Sequence, residues 1–172
     1  MKRVAIIGVS SSGKTTLGKN LSRKLGAASV DLDDLHWEPN WKAANDLEFA
    51  RRIEAALQPE AWVVSGNYTR VQNLYLDAAD TLIWLDYSFP VVLKRVLSRT
   101  FRRVIKREMC CNGNYESLSG TFSRDSIVLW VFQTYKKRRR TAEVIFQPEN
   151  LSHLKKLRFR SPRETQKWLD SL

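Results

Sequence analysis

From Gly8 to Leu17 the chain reads GVSSSGKTTL, which meets the pattern G-x-x-x-x-G-K-[ST] through Gly8, Gly13, Lys14 and Thr15. Such a stretch becomes an anion-binding loop only when a buried strand leads into it and a helix leaves it, so that loop amides and helix N-terminus converge. Both neighbours are legible. Lys2–Ile7 is a short apolar run suited to a core strand, and Leu17, Leu21 and Leu25 recur at helical spacing until Gly26, a suitable C-cap. In that setting the loop amides around Gly8 and Gly13 form a nest for phosphate, and Ser10, Ser11 and Ser12 keep the loop small and polar. Lys14 is placed to bridge terminal phosphates, Thr15 to offer a hydroxyl to Mg²⁺, and Thr16 to reach an inner phosphate.

The rest of the chain alternates strand and helix patterns. Ala28–Asp31 is a candidate second strand, followed by the Trp- and Pro-bearing loop DDLHWEPNW. A helix is expected from about Asp46 to Leu57 on Leu47, Ile53 and Leu57, ended by Pro59. AWVVSG, TLIWLD and HLKKLRFR supply strands three to five. Between the last two, a long helix is expected from Pro90 to about Arg107, then an irregular CCNGNYESLSG, then a second helix from about Arg124 to Arg140. Ser123 can cap that second helix with Asp125 in its first turn, and Pro162 suits the first turn of a closing helix. Strands alternating with helices imply an α/β fold with a parallel sheet covered on both faces and ligands at the carboxyl ends of its strands. A chain of 172 residues, 43% hydrophobic, suits one domain over 1–172.

Charge is unevenly placed. The net +11 arises because residues 1–86 hold 10 Lys+Arg against 11 Asp+Glu, whereas residues 87–172 hold 19 against 7. By charge alone the basic half suits polyphosphate, nucleic acid or anionic lipid. No run of about 18 apolar residues is present, so no membrane span is expected. Cys110 and Cys111 are the only cysteines, too few for a disulfide framework, and no partner stands at metal-ligand spacing. The cytoplasm is the expected compartment, and both a monomer and a dimer fit.

A P-loop alone does not choose among nucleotide-binding classes. No N-K-x-D guanine reader is present, and LIWLD ends in one acid, Asp86, rather than a pair. The second strand instead runs into VDLDDLHW. Alternate strand residues share a face, so Asp31 and Asp33 are expected to point together into the cleft, one holding the Mg²⁺ shell and the other orienting or deprotonating an acceptor hydroxyl. Asp34 reads as a solvated charge. Arg95 and Arg99, four apart, share a helix face that Arg102, Arg103, Lys106 and Arg107 continue. Cations closing over a transferred phosphate supply much of the catalysis in phosphoryl transfer. The Arg-rich helix, the Gly/Asn/Ser-bearing segment and the helix returning from Arg124 therefore suggest a lid over about 101–124, with Arg99 and Arg124 as candidates to act on the phosphate. KKRRR, Lys136–Arg140, closes the second helix in this reading, where cations suit its negative end. Trp37 and Trp41 read as packing or as a substrate platform; His36 and His153 read as surface or satisfied residues.

Together, the P-loop, LDDLHWEPNW, WVVSGNY and LRFRSPRE resemble the adenylate kinase-like P-loop proteins labelled DNA topology modulation (FlaR-like) proteins, relatives of adenylate, shikimate and gluconate kinases. The resemblance covers nearly the whole chain. It implies a P-loop NTPase fold like that of nucleoside kinases, with sheet order 2-3-1-4-5, ATP and Mg²⁺ as cofactors, an acceptor-binding region over about 33–60 and a lid. It implies that Arg95 lies against adenine, that Arg99 touches phosphate, that Asp31 and Asp33 serve Mg²⁺ and acceptor in turn, and that Ser161-Pro162 lies near the adenine edge. Adenylate kinases carry D-G-F-P-R after the third strand. Here Ser65 replaces the acid, leaving Asp31 or Asp33 for the metal, and Arg70 stands where the monophosphate reader would be. Asn67 and Tyr68 either bind a polar acceptor or cap and pack the next helix.

Two functions follow as expectations. The first is an ATP- and Mg²⁺-dependent phosphotransferase acting on a small-molecule or nucleotide acceptor. The second is a nucleic-acid-binding protein with regulatory ATP, resting on the basic half and the group's label.

Overall fold

The computed structural model describes residues 1–115 and 126–172. Strands β1 (Arg3–Gly8), β2 (Ala28–Asp31), β3 (Trp62–Ser65), β4 (Thr81–Leu85) and β5 (Lys155–Phe159) form a parallel sheet of order β2-β3-β1-β4-β5. This is the expected 2-3-1-4-5. Helices α1 (Lys14–Leu25), α2 (Leu32–His36), α3 (Asp46–Ala56), α4 (Asn73–Leu76), α5 (Phe89–Lys106), α6 (Ile127–Ile145) and α7 (Pro162–Asp170) connect the strands.

The central strands are apolar on both faces because both are covered. Val4 and Ile6 of β1, Val63 of β3 and Ile83 and Leu85 of β4 meet Leu17 and Leu21 of α1, Val92 and Val96 of α5 and Leu169 of α7. The alternate residues Ala5, Ile7, Trp62, Val64, Leu82 and Trp84 meet Phe49 and Ile53 of α3 and Ala142 of α6. One sheet therefore carries two cores on its opposite faces, through the period-2 alternation of its strands. Register aligns the strand ends: Ile6 and Asp31 both pair with Ser65, and Gly8 pairs with Leu85. That row of carboxyl ends fixes where a ligand can sit.

Several local expectations are corrected. Leu47, expected on the apolar face of α3, is 83% exposed, and Phe49 is buried beside Ile53 instead. The loop after α2 folds into a hairpin pairing Trp37–Glu38 with Lys42–Ala43, and the start of the stretch read as irregular belongs to a second hairpin pairing Met109–Cys110 with Asn114–Tyr115, the rest of it lying outside the described residues. Ser126 caps α6 by accepting from the Val128 and Leu129 amides; Ser123, Arg124 and Asp125 lie outside the described residues. Helix α6 runs on to Ile145, so Lys136–Arg140 does not close it.

That longer helix has a structural use. Arg139 bonds the Asp86 carboxylate at 2.7 and 3.2 Å, Arg158 of β5 bonds it at 2.6 and 3.1 Å, and the Arg158 guanidinium lies 4.2 Å from the Trp84 ring centre. Asp86, just past β4, is buried, so this knot ties α6 to the sheet. Asp86→Ala is expected to lower unfolding free energy by about 2–3 kcal/mol, less than a fully buried pair would lose because both arginines reach solvent. Denaturant unfolding with an unchanged m-value would check it.

Candidate active site

The loop after β1 wraps the start of α1 as the motif requires. Gly13 precedes α1 with φ of 102° and no side chain capping the helix, so the first amides of α1 stay open to a ligand. Its φ of 102° is what favours glycine there; a Cβ would also sit 2.8 Å from the Arg95 guanidinium, the far end of a side chain that could shift. Ser10, Ser11, Ser12, Gly13, Lys14, Thr15 and Thr16 all line one cleft of about 1960 Å³. The hydroxyls of Ser11 and Ser12 are buried with no hydrogen-bond partner among the described residues. Unsatisfied buried donors facing open helix amides fit a bound phosphate chain, which would supply the missing acceptors. Lys14 is half-buried, its ammonium donating to the Val9 carbonyl at 3.0 Å. Asn67 holds the loop from β3: its side-chain amide both accepts from the Gly8 amide at 3.3 Å and donates to the Gly8 carbonyl. The Asn67 side chain is thus directed at the P-loop, a contact that neither expected role described.

Asp31 and Asp33 reach this cleft by a route other than strand alternation. Asp31 ends β2, and its carboxylate accepts from the Asp33 amide at 3.1 Å, capping α2 on which Asp33 lies. Gly66 admits that arrangement, since a Cβ there would fall 2.6 Å from Leu32 Cβ. Burial pushes the Asp31 carboxyl up to about 6, and the neighbouring Asp33 charge adds to this, while a hydrogen bond with the Thr15 hydroxyl works the other way. Burial likewise lowers the Lys14 ammonium, opposed by the charges of Asp33 and Asp31 and reinforced by Arg99 and Arg138. Lysine, threonine and two carboxylates thus form one electrostatic unit. A pair of close carboxylates beside a threonine hydroxyl is a hard-oxygen donor set suited to Mg²⁺, whose charge would offset their repulsion.

Helix α5 presents Arg95, Arg99, Arg102 and Arg103 to the cleft from one stripe. Arg95 donates to the Ser12 carbonyl at 2.5 Å and lies 5.1 Å from the Tyr87 ring centre, bracing the P-loop. Pro162 lines the cleft with Tyr87, Val91, Thr165 and Leu169. Asp34, expected to be merely solvated, accepts from the Asn112 amide at 3.3 Å.

At the opposite end, Tyr68 donates to Asp33 at 2.8 Å. Its phenol stays protonated, because burial and the Asp33 charge push it far above its usual range. Trp37 and Trp41 stand edge to face at 5.6 Å, and Arg70 is ion-paired with Asp46 at 2.7 Å at the exposed rim. His36 departs from expectation. It is buried among Trp37, Phe49 and Tyr68, its Nδ1 has no partner among the described residues, and burial lowers its pKa so that it stays neutral. Arg138, absent from the sequence-based site, donates to the Asn67 carbonyl at 2.9 Å and lines the same end. KKRRR advertised it, but only the packing of α6 against the end of β3 selects Arg138 from the five.

A five-stranded 2-3-1-4-5 sheet with a P-loop, a carboxylate pair after β2 and a basic α5 defines a P-loop kinase. No family model matches the chain. It is 32% identical over 123 residues to a shikimate kinase of Sulfurihydrogenibium sp., spanning 62% of this chain and 74% of that protein. A crystal structure of shikimate kinase from Bacteroides thetaiotaomicron superposes with a TM-score of 0.57 at 16% identity, over 99% of this chain and 95% of the other. A gluconokinase from Sinorhizobium meliloti gives 0.52 at 15%, over 99% and 92%. The chain belongs to the shikimate kinase family of P-loop phosphotransferases. Among the described residues no helix is long and apolar enough to cross a membrane.

The raised Asp31 pKa fixes the sign of a pH effect. Between about pH 4 and 6 the folded protein retains a proton on Asp31 that the unfolded chain has released, so stability falls as pH rises through that window and then levels off. Asp31→Asn should remove this decline and stabilise the metal-free protein at pH 7 by about 2–3 kcal/mol, as about two pK units imply. Unfolding midpoints of the two proteins at pH 4 and pH 7 provide the check; equal differences at both would refute the shift.

Proposed function

We propose that the protein transfers the γ-phosphoryl group of ATP, with Mg²⁺, to a hydroxyl of a small polar acceptor, shikimate or gluconate being the first to test. The observation that carries this reading is the convergence of Lys14, Asp31, Asp33, Arg99 and Arg138 on one cleft beside an open helix N-terminus. ATP supplies the transferable phosphoryl group and Mg²⁺ neutralises its oxygens. The chain supplies positions and charge. The amides from Gly8 to Thr16 and the hydroxyls of Ser10, Ser11, Ser12 and Thr16 hold the phosphates, with Arg95 and Pro162 bordering the nucleoside. Thr15 and Asp31 would hold the metal.

Asp33 orients the acceptor hydroxyl and takes its proton, and Tyr68 keeps the carboxylate in place by occupying one oxygen. Lys14 and Arg99 offset charge on the transferring group, with Arg124 a further candidate from the sequence. Arg138 suits an anionic group on the acceptor, while Trp37 and Arg70 border its entry. A lid over about 101–124 would exclude water during transfer.

The test is ATP consumption with shikimate, gluconate and nucleoside monophosphates, each against a no-acceptor control. One compound should raise turnover well above the control; uniform basal hydrolysis across the panel would sink the kinase reading for these acceptors. Lys14→Ala should reduce turnover by about 10³-fold or more. Asp33→Asn should lower kcat by about 10²–10³-fold while KM for ATP stays within about threefold. Equal loss of ATP affinity and kcat in the latter would remove Asp33 from the reaction.

A further inference from the structure

The two small hairpins, one on the acceptor side and one following α5, meet edge to edge at the mouth of the cleft. Asn112 donates its backbone amide to Asp34 at 3.3 Å and its side-chain amide to the Trp37 carbonyl at 3.0 Å. Asn114 is buried and its side chain is fully employed: Nδ2 donates to the carbonyls of Glu38 at 3.0 Å and Cys111 at 2.7 Å, and Oδ1 accepts the Trp41 amide at 2.8 Å. The Trp41 indole adds a bond to the Tyr115 carbonyl at 3.3 Å. Only a side chain with both donor and acceptor can fill the place of Asn114.

Backbone on both sides of this contact is held in the left-handed region. Cys111, Asn112 and Gly113 have φ of 42°, 58° and 86°, and facing them Asn40 and Trp41 have 62° and 57°. A bulky tryptophan there is an outlier that persists only when its surroundings fix it, and such residues cluster at ligand clamps. The hydrogen bonds named above are what fixes it. The contact joins two parts of the cleft that the sheet does not join: the segment from Asp34 to Trp41, next to Asp33, and the end of the helix that carries Arg95 and Arg99.

We infer that Asn112 and Asn114 are positioning residues of the acceptor end, forming a polar latch that holds the Trp37–Trp41 segment against the arginine-bearing helix. The contact fixes Trp37 and Trp41 at the cleft lining, where they would border the acceptor. The catalytic consequence rests on the kinase reading above, whereas the latch itself is a property of the fold.

The test combines amide hydrogen exchange and kinetics on the full chain. In Asn114→Ala the Trp41 amide loses its acceptor and should exchange about tenfold faster or more, with the core amides of Val64 and Ile83 unaffected. Asn112 is exposed, so Asn112→Ala is expected to fold normally and gives a second, independent opening of the same contact. With shikimate as the probe, either variant should raise KM for shikimate about tenfold while KM for ATP stays within about twofold. Asn114→Asp, which keeps the acceptor but loses both donors, should fall between wild type and Asn114→Ala in both readouts. Unchanged Trp41 exchange in both alanine variants overturns the latch, and equal rises in both KM values, or faster exchange with neither KM altered, overturn the positioning role. If wild-type protein turns over no shikimate, that failure belongs to the acceptor assignment, and exchange at Trp41 still decides the latch.

Discussion

The partly desolvated ammonium of Lys14 is the constraint around which the site is organised. Taking a lysine out of water is costly unless opposite charge stands close by, and here Asp33 and Asp31 provide it. Those carboxylates are themselves desolvated and repel one another, as the raised Asp31 pKa records. Neither charge is comfortable alone. What holds them together is the sheet, which pairs both Ile6 of β1 and Asp31 of β2 with Ser65 of β3. The Asn67 clamp on Gly8 then fixes the loop between them. A site that holds unfavourable electrostatics in this way would be relieved by a ligand bearing both anionic and cationic charge, each offsetting a different part of the imbalance.

The fold was legible because its signals are local. The motif at Gly8–Thr15 needs a strand before it and a helix after it, and continuous apolar runs such as TLIWL mark strands covered on two faces. The P-loop residues were legible for the same reason, being contiguous in one loop. The other end of the cleft was less so. Asp33 was identified through strand alternation, yet it occupies a helix that Asp31 caps, a local hydrogen bond having overridden the strand pattern. His36 read as a surface or satisfied residue because burial by Phe49 and Tyr68 depends on elements far away in sequence. The two hairpins were missed because strands of two residues carry no periodicity to detect.

The basic run KKRRR shows why charge counts alone mislead. Read along the chain, it is a uniform patch suited to the end of a helix or to nucleic acid. Folded, adjacent residues diverge by about 100° around α6. Arg138 turns to Asn67 and the acceptor end, while Arg139 turns to the buried Asp86. Two members of the run thus have assigned partners within the chain, which reduces what it offers to an external polyanion.

The asymmetry between the halves of the chain acquires a spatial meaning from the same contacts. Asp31, Asp33 and Asp86 belong to the first half, and Arg95, Arg99, Arg138, Arg139 and Arg158 to the second. The sheet brings β1, β2 and β3 of the first half beside β4, and α5, α6 and β5 then return from the second half over that edge. Folding therefore places acids from one half opposite arginines from the other. Where the acid is enclosed by two guanidinium groups, as at Asp86, the result is a closed ion-pair knot that ties the halves together. At the cleft, Asp31 and Asp33 share their space with Lys14, and Arg95, Arg99 and Arg138 line the same cleft. The uneven distribution of charge along the sequence is thus an economical way to build both a structural joint and a binding cleft from one set of interactions.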